Sequence, residues 1–148
     1  MSRTFSPRAF ALVAMVAIAC QPMPPRSEEP GAPPASGVMI TLDRTRYAPG
    51  SRVEMRVTNH TSETRGFNPC TRSVERRQGD SWVMVPEPGR VCTMEIWLVN
   101  PHGSRAGTTE LPAWLPRGTY RLALILTREG GGPPAPTVRA LSEPFQVE

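Results

Sequence analysis

Apolar and polar residues alternate at every second position in several short runs of this chain, the pattern of β-strands that bury one face. Val53, Met55 and Val57 alternate with Arg52, Glu54, Arg56 and Thr58, and Val38, Ile40 and Leu42 form an earlier run of the same kind. Pro49 and Gly50 turn the chain into the first run and residues 59–62 turn it out. Residues 73–77 and 81–85 flank Gln78, Gly79 and Asp80, which predicts a hairpin with a tight glycine-bearing turn. A further strand is predicted over residues 94–100, around Ile96, Trp97, Leu98 and Val99. Tyr120, Leu122, Leu124 and Leu126 alternate with Arg121, Ala123, Ile125 and Thr127, and the apolar Ile125 on the opposite face marks a central strand. The chain closes on Phe145 and Val147.

Nowhere after residue 37 does a helical period persist, and prolines interrupt each candidate helix. About seven short strands with frequent turn signals predict an all-β fold, an antiparallel β-sandwich formed by residues 38–148. Pro112 and Pro116 flank Trp114 and Leu115, and proline donates no ladder hydrogen bond. That segment is therefore a crossover leading into the Tyr120 strand. Gly130 to Gly132 precede two prolines and predict a flexible hairpin loop, since no helix opens there to complete a phosphate cradle.

Ahead of the sandwich the pattern changes twice. Arg3 and Arg8 precede an apolar run at residues 10–19, and Ala17, Ile18 and Ala19 stand directly before Cys20. This is the layout of a secretory signal with a cysteine at the cleavage point. Ten apolar residues make a helix of about 15 Å, too short to cross a bilayer that needs about 20 residues. The segment resembles the lipobox of bacterial lipoproteins, which implies a signal peptide over residues 1–19 and lipidation at Cys20. Gln21, in place of aspartate, implies outer-membrane sorting within that family. Residues 20–37 then read as a lipidated cysteine followed by a proline-rich, disordered tether, with Pro22, Pro24, Pro25, Pro30, Pro33 and Pro34 and almost nothing apolar to bury. Extended at about 3.1 Å per residue, such a tether reaches some 50 Å from a membrane.

Setting Cys20 aside leaves Cys70 and Cys92, and two remaining cysteines outside the cytoplasm predict one disulfide. Redox or metal thiols are the rival reading, but the chain has no Cys-x-x-Cys spacing, and His60 and His102 lie in separate turn-like segments. The bridge spans the 73–85 hairpin, so it is expected to clamp the hairpin base or a neighbouring strand. All 17 basic residues are arginine, and the formal charge of +4 shrinks when Arg3 and Arg8 leave with a signal. Charges of both signs alternate along the chain, without the basic face that nucleic-acid binding requires. Nucleic acid is thus not an expected partner.

Longer blocks carry a family resemblance. Tyr47, Pro49, Gly50, Val53 and Asn59, then Gly66, Phe67, Val74, Glu75 and Trp82, then Leu115, Pro116, Gly118, Tyr120, Arg121 and Leu122 are similar to the motifs of bacterial immunoglobulin-like domains. The resemblance implies an immunoglobulin-like sandwich in which Tyr120 braces a sheet-to-sheet corner through its hydroxyl. The chain also resembles, more distantly, a Bacillus intracellular proteinase inhibitor family with a similar sandwich. No reactive inhibitory loop can be matched, and an export signal conflicts with an intracellular role.

Residues for catalysis are sparse. No nucleophile elbow and no cysteine–histidine pairing is present. Asp43, Glu54 and Glu75 are expected on solvent-facing strand positions. Met39, Met55, Met84 and Met94 supply soft sulfur but lack a clustered spacing, so no metal and no cofactor is expected. Asn59, His60 and Thr61 match a glycosylation acceptor, which a bacterial lipobox argues against. The expected protein is therefore not an enzyme. It is a lipid-anchored lipoprotein of the bacterial cell envelope whose sandwich contacts another protein or an envelope polymer. Trp97 and Trp114 are candidate contact anchors, although core packing is the default for each. The alternative is a secreted proteinase inhibitor acting through a sandwich loop.

Overall fold

The computed structural model describes residues 36–129 and 137–148. The readings of signal, Cys20 and most of the tether lie outside the described residues, as does the Gly130 to Gly132 loop. Among the described residues eleven strands are present: β1 (Val38–Leu42), β2 (Arg46–Tyr47), β3 (Arg52–Asn59), β4 (Arg65–Phe67), β5 (Ser73–Gln78), β6 (Ser81–Met84), β7 (Trp97–Val99), β8 (Ser104–Glu110), β9 (Gly118–Arg128), β10 (Thr137–Ser142) and β11 (Phe145–Val147).

The long strand β9 organises the domain. One of its edges pairs with β11 and then β10, the other with β5 and then β4. A second layer runs β1–β3–β8, all antiparallel. The two halves are joined through a short parallel contact in which β1 meets β10 only at Met39↔Leu141 and Ile40↔Ser142. Another parallel contact places β2 against β11. The sandwich expectation holds; of the four strands without an expectation, β2 and β4 are only two and three residues long, too short to show a period, while β8 and β10 are longer.

Alternation dictates the core. Val53, Met55 and Val57 of β3 face Tyr120, Leu122, Leu124 and Leu126 of β9 in one cluster with Val38, Ile40, Phe67, Val74 and Phe145. Each fully buried side chain of this size contributes about 1.5–3 kcal/mol relative to exposure. Ile125 points outward from β9 and is 49% exposed. Turns follow the residues that require them. Ala48, Pro49, Gly50 and Ser51 form a turn closed by a hydrogen bond from the Ser51 N–H to the Ala48 carbonyl at 3.1 Å, with Gly50 at φ 74°. Gly79, at φ 60°, takes the first place of the two-residue loop between Gln78 and Ser81.

Two strand expectations need correction. The 94–100 strand shrinks to Trp97–Val99, with Met94 and Ile96 in solvent, because β7 pairs only with the three residues of β4. Strand β8 had no expectation at all; Ser104–Glu110 holds few apolar residues, and its ladder comes from β3.

Candidate functional site

The crossover ahead of β9 closes as the sequence motif implies. The Tyr120 hydroxyl donates to the Pro116 carbonyl at 2.7 Å, and burial raises the pKa of that phenol. Phe145 packs between Tyr120 and Tyr47, with ring centroids 6.1 and 5.3 Å away. Tyr47 in turn donates its hydroxyl to Asp43 at 2.8 Å and accepts from the Arg44 N–H. Burial first, and the bond to Asp43 second, push the Tyr47 phenol up to about 12. Burial alone would raise the pKa of Asp43, but hydrogen bonds from Arg44, Tyr47 and the Glu54 N–H outweigh it and hold the carboxyl below its ordinary value.

Asn59 is fully buried at the far end of β3. Its amide donates to the carbonyls of Glu63, Val99 and Asn100, while its oxygen accepts from the Thr61 N–H and hydroxyl. Every polar atom of the side chain is engaged in fixing the turn, so Asn59 is unavailable as a glycan acceptor. His60 and His102 are exposed in turns, and His102 adopts φ 54°.

Glu75 corrects the expectation of a solvated carboxylate. It is 6% exposed, with Arg121 donating to one carboxylate oxygen at 2.8 Å and Arg139 to the other. Desolvation opposes its charge, yet the two guanidinium donors prevail and lower its pKa. The Arg121 guanidinium also lies 4.4 Å from the Trp82 ring.

Cys70 and Cys92 form the disulfide. Cys70 sits in a 3-10 turn, Pro69–Thr71, capped by the Asn68 side chain, and Cys92 sits in the irregular segment after β6. The bridge therefore fastens that segment to the entry of β5, a neighbour of the hairpin base. Beside it lies a cluster that sequence reading missed. Arg72 is buried, with Nε donating to Thr109 Oγ1 at 2.6 Å, Nη1 and Nη2 to the Glu87 carboxylate, and Nη2 also to the Glu110 carbonyl. Arg90 donates from Nη1 to the Arg72 carbonyl at 3.2 Å and to both Glu87 oxygens. Burial first, then the charge of Arg72, lowers the pKa of Arg90 against the pull of Glu87. These groups, with Arg52 and Glu110, line an open cavity of about 590 Å³. No spacing signal announces the cluster, because its members come from three segments of mixed charge.

Apolar exposure concentrates in the same part of the chain. Val91 and Met94 are 91% and 95% exposed, and Ile96 and Leu98 lie over Gly66 on the outer face of β4. Trp114 stands 56% exposed, while Trp97 is half-buried, its ring pressed onto Gly107 and covered by Arg105 at 4.5 Å. Trp114 thus remains a contact candidate, and Trp97 is a packing residue. Met55 belongs to the core, whereas Met84 is exposed. Among the described residues, no group of three or more His, Cys, Asp and Glu side chains is placed to hold a metal ion.

A family model described as a bacterial Ig-like domain matches residues 34–127. No curated protein matches the chain. Among solved structures, Northeast Structural Genomics Consortium target SoR45 is similar in fold, at 14% identity and TM-score 0.50, covering 75% of this chain and 85% of that one. The PapD-like domain 7 of human CEP192 aligns at 17% identity and TM-score 0.37, over 88% of this chain and 96% of that one.

Proposed function

This chain belongs to the bacterial Ig-like domain family, and on that premise we propose that it is a non-catalytic binding or structural module, held at the cell envelope by a lipid on Cys20. The observation that supports a binding role is the apolar exposure of the bridged segment, where Val91, Met94 and Ile96 meet solvent in the same stretch of chain that supplies Arg90 to a polar cavity. Exposed apolar side chains gathered in one region, rather than scattered singly, are a mark of interaction surfaces. Cys20 supplies the attachment: a short apolar run ending in a cysteine, then a proline-rich leash long enough to present the sandwich to a partner.

The test is a crosslinking pull-down from intact cells expressing the full chain, set beside a Cys20→Ser variant, with mass spectrometry of the processed N-terminus. An acylated chain starting at Cys20 and one stoichiometric partner, diminished by the substitution, supports the proposal. An uncleaved, acyl-free chain in the cytosol overturns it. Potent block of an extracytoplasmic protease replaces the binding role with that of an inhibitor.

A further inference from the structure

We propose that the cavity beside the Cys70–Cys92 bridge is a binding site for a carboxylate-bearing side chain of an acidic peptide, with Arg90 as its principal contact. This rests on the binding role proposed above and names its chemistry. The cavity, at about 590 Å³, falls in the size range of about 300–1,000 Å³ typical of small-ligand sites. Its floor is closed: Arg72 is buried, and all three of its guanidinium nitrogens are engaged with Thr109, Glu87 and the Glu110 carbonyl. Its wall and rim are open. Among the described residues, Arg90 uses only Nη1, and Arg52 uses only Nη2, which donates to Thr108 at 3.3 Å. Nε and Nη2 of Arg90 therefore present one planar fork edge without a partner, the arrangement that meets a carboxylate with two parallel hydrogen bonds.

Charge selects among anions. Three guanidinium cations, Arg52, Arg72 and Arg90, stand against the carboxylates of Glu87 and Glu110. A single positive charge is left over, which one carboxylate neutralises. A phosphate dianion exceeds that charge and meets repulsion from both glutamates. Arg90 is also partly desolvated, so a matching anion restores favourable electrostatics that solvent supplies only in part.

The disulfide holds the site together. Arg72 lies two positions after Cys70, and Arg90 lies two positions before Cys92. The bridge thus ties the two segments that carry the floor and wall cations, and the Arg90 to Arg72 carbonyl bond completes the link. Without it, the irregular segment keeps, among the described residues, the Glu87–Arg72 ion pair, the Arg90 bond to the Arg72 carbonyl and the Asn68 bond to the Thr93 carbonyl.

The experiment is an NMR titration of the full chain in detergent solution, following arginine Nε–H resonances. The probes are acetyl-Gly-Glu-Gly-amide, its Gln counterpart and inorganic phosphate. The Glu peptide is expected to shift Arg90 saturably and to bind about tenfold tighter than the Gln peptide, the size of a charge-assisted hydrogen bond. Arg90→Gln is expected to remove that preference while amide protection in β3 and β9 is unchanged, and the Cys70→Ser, Cys92→Ser double variant to weaken it. Equal binding of the two peptides, phosphate binding as tight as the Glu peptide, or full affinity in Arg90→Gln overturns the assignment. If partner capture from intact cells survives Arg90→Gln, the binding role stands and only this site falls.

Discussion

Two regions of this domain are held by different physics. Around Tyr120, Phe145 and Tyr47, stability comes from buried aromatic surface and a hydroxyl satisfied by a carbonyl. Around residues 86–96 the chain has no strand, leaves Val91 and Met94 in solvent, and is fixed by a disulfide, by the Glu87–Arg72 ion pair and by bonds from Arg90 to the Arg72 carbonyl and from Asn68 to the Thr93 carbonyl. The contrast shows where the fold is redundant. Core contacts are many and mutually supporting, whereas the bridged segment hangs on a few specific links.

The sharpest way to break the contrast is to damage each region in turn. Leu122→Ala in the centre of β9 is expected to cost about 4 kcal/mol in urea unfolding, the cost of a cavity in a packed core. Replacing Cys70 and Cys92 by serine is expected to cost about 3 kcal/mol, because the closed loop spans a sequence separation of 22. Hydrogen exchange should accelerate first at Thr71 and Val85, whose N–H groups bond the Asn68 and Val74 carbonyls beside the bridged segment, while β3 and β9 stay protected; an unchanged midpoint would deny the bridge a stabilising role. Glu75→Gln is expected to cost about 2 kcal/mol, since Arg121 would keep a desolvated charge without its partner. Glu75 has a lowered folded pKa, so its contribution is complete above its ordinary value of 4.5 and fades as pH falls through the lower folded value. The acid side of the wild-type melting curve should therefore steepen relative to that of Glu75→Gln.

Smaller effects sharpen the same comparison. Asp43→Asn is expected to cost about 1 kcal/mol and to lower the Tyr47 titration from about 12, while burial keeps it above the ordinary 10. Phenolate absorbance gives that value directly. Because the folded pKa is raised, the contribution of Tyr47 is full below 10 and is lost as pH climbs through about 12. Val91→Ala and Met94→Ala should stay within about 0.5 kcal/mol of wild type in the same urea assay, as both side chains are exposed.

The aromatic region was legible from sequence because its signals are local. The alternation of Val53, Met55 and Val57 named a core face, and the resemblance of the Leu115, Pro116 and Tyr120 block to bacterial immunoglobulin-like domains implied the corner. In the bridged region only the cysteine pair could be read. Arg72, Glu87 and Arg90 meet because irregular backbone brings them together, and no period encodes irregular backbone. Glu75 misled for a related reason: it occupies the outward face of β5, and its burial depends on Arg121 and Arg139, which reach it from β9 and β10. Strand β8 escaped notice because Gly107 leaves room for the Trp97 ring where a large apolar side chain would have signalled its face.

The placement of Arg72 also bears on how copies of this protein tolerate crowding. The Leu111 N–H bonds the Ser51 carbonyl toward β3, so the backbone groups of Glu110 point to the opposite flank, where among the described residues β8 has no strand beside it. An open flank of that kind is a template on which a second chain can lengthen a sheet. The Arg72 guanidinium occupies the Glu110 carbonyl and sets a cation at that spot. Copies packed side by side thus meet a plugged seam at this end of β8, which discourages fibre growth from neighbour to neighbour.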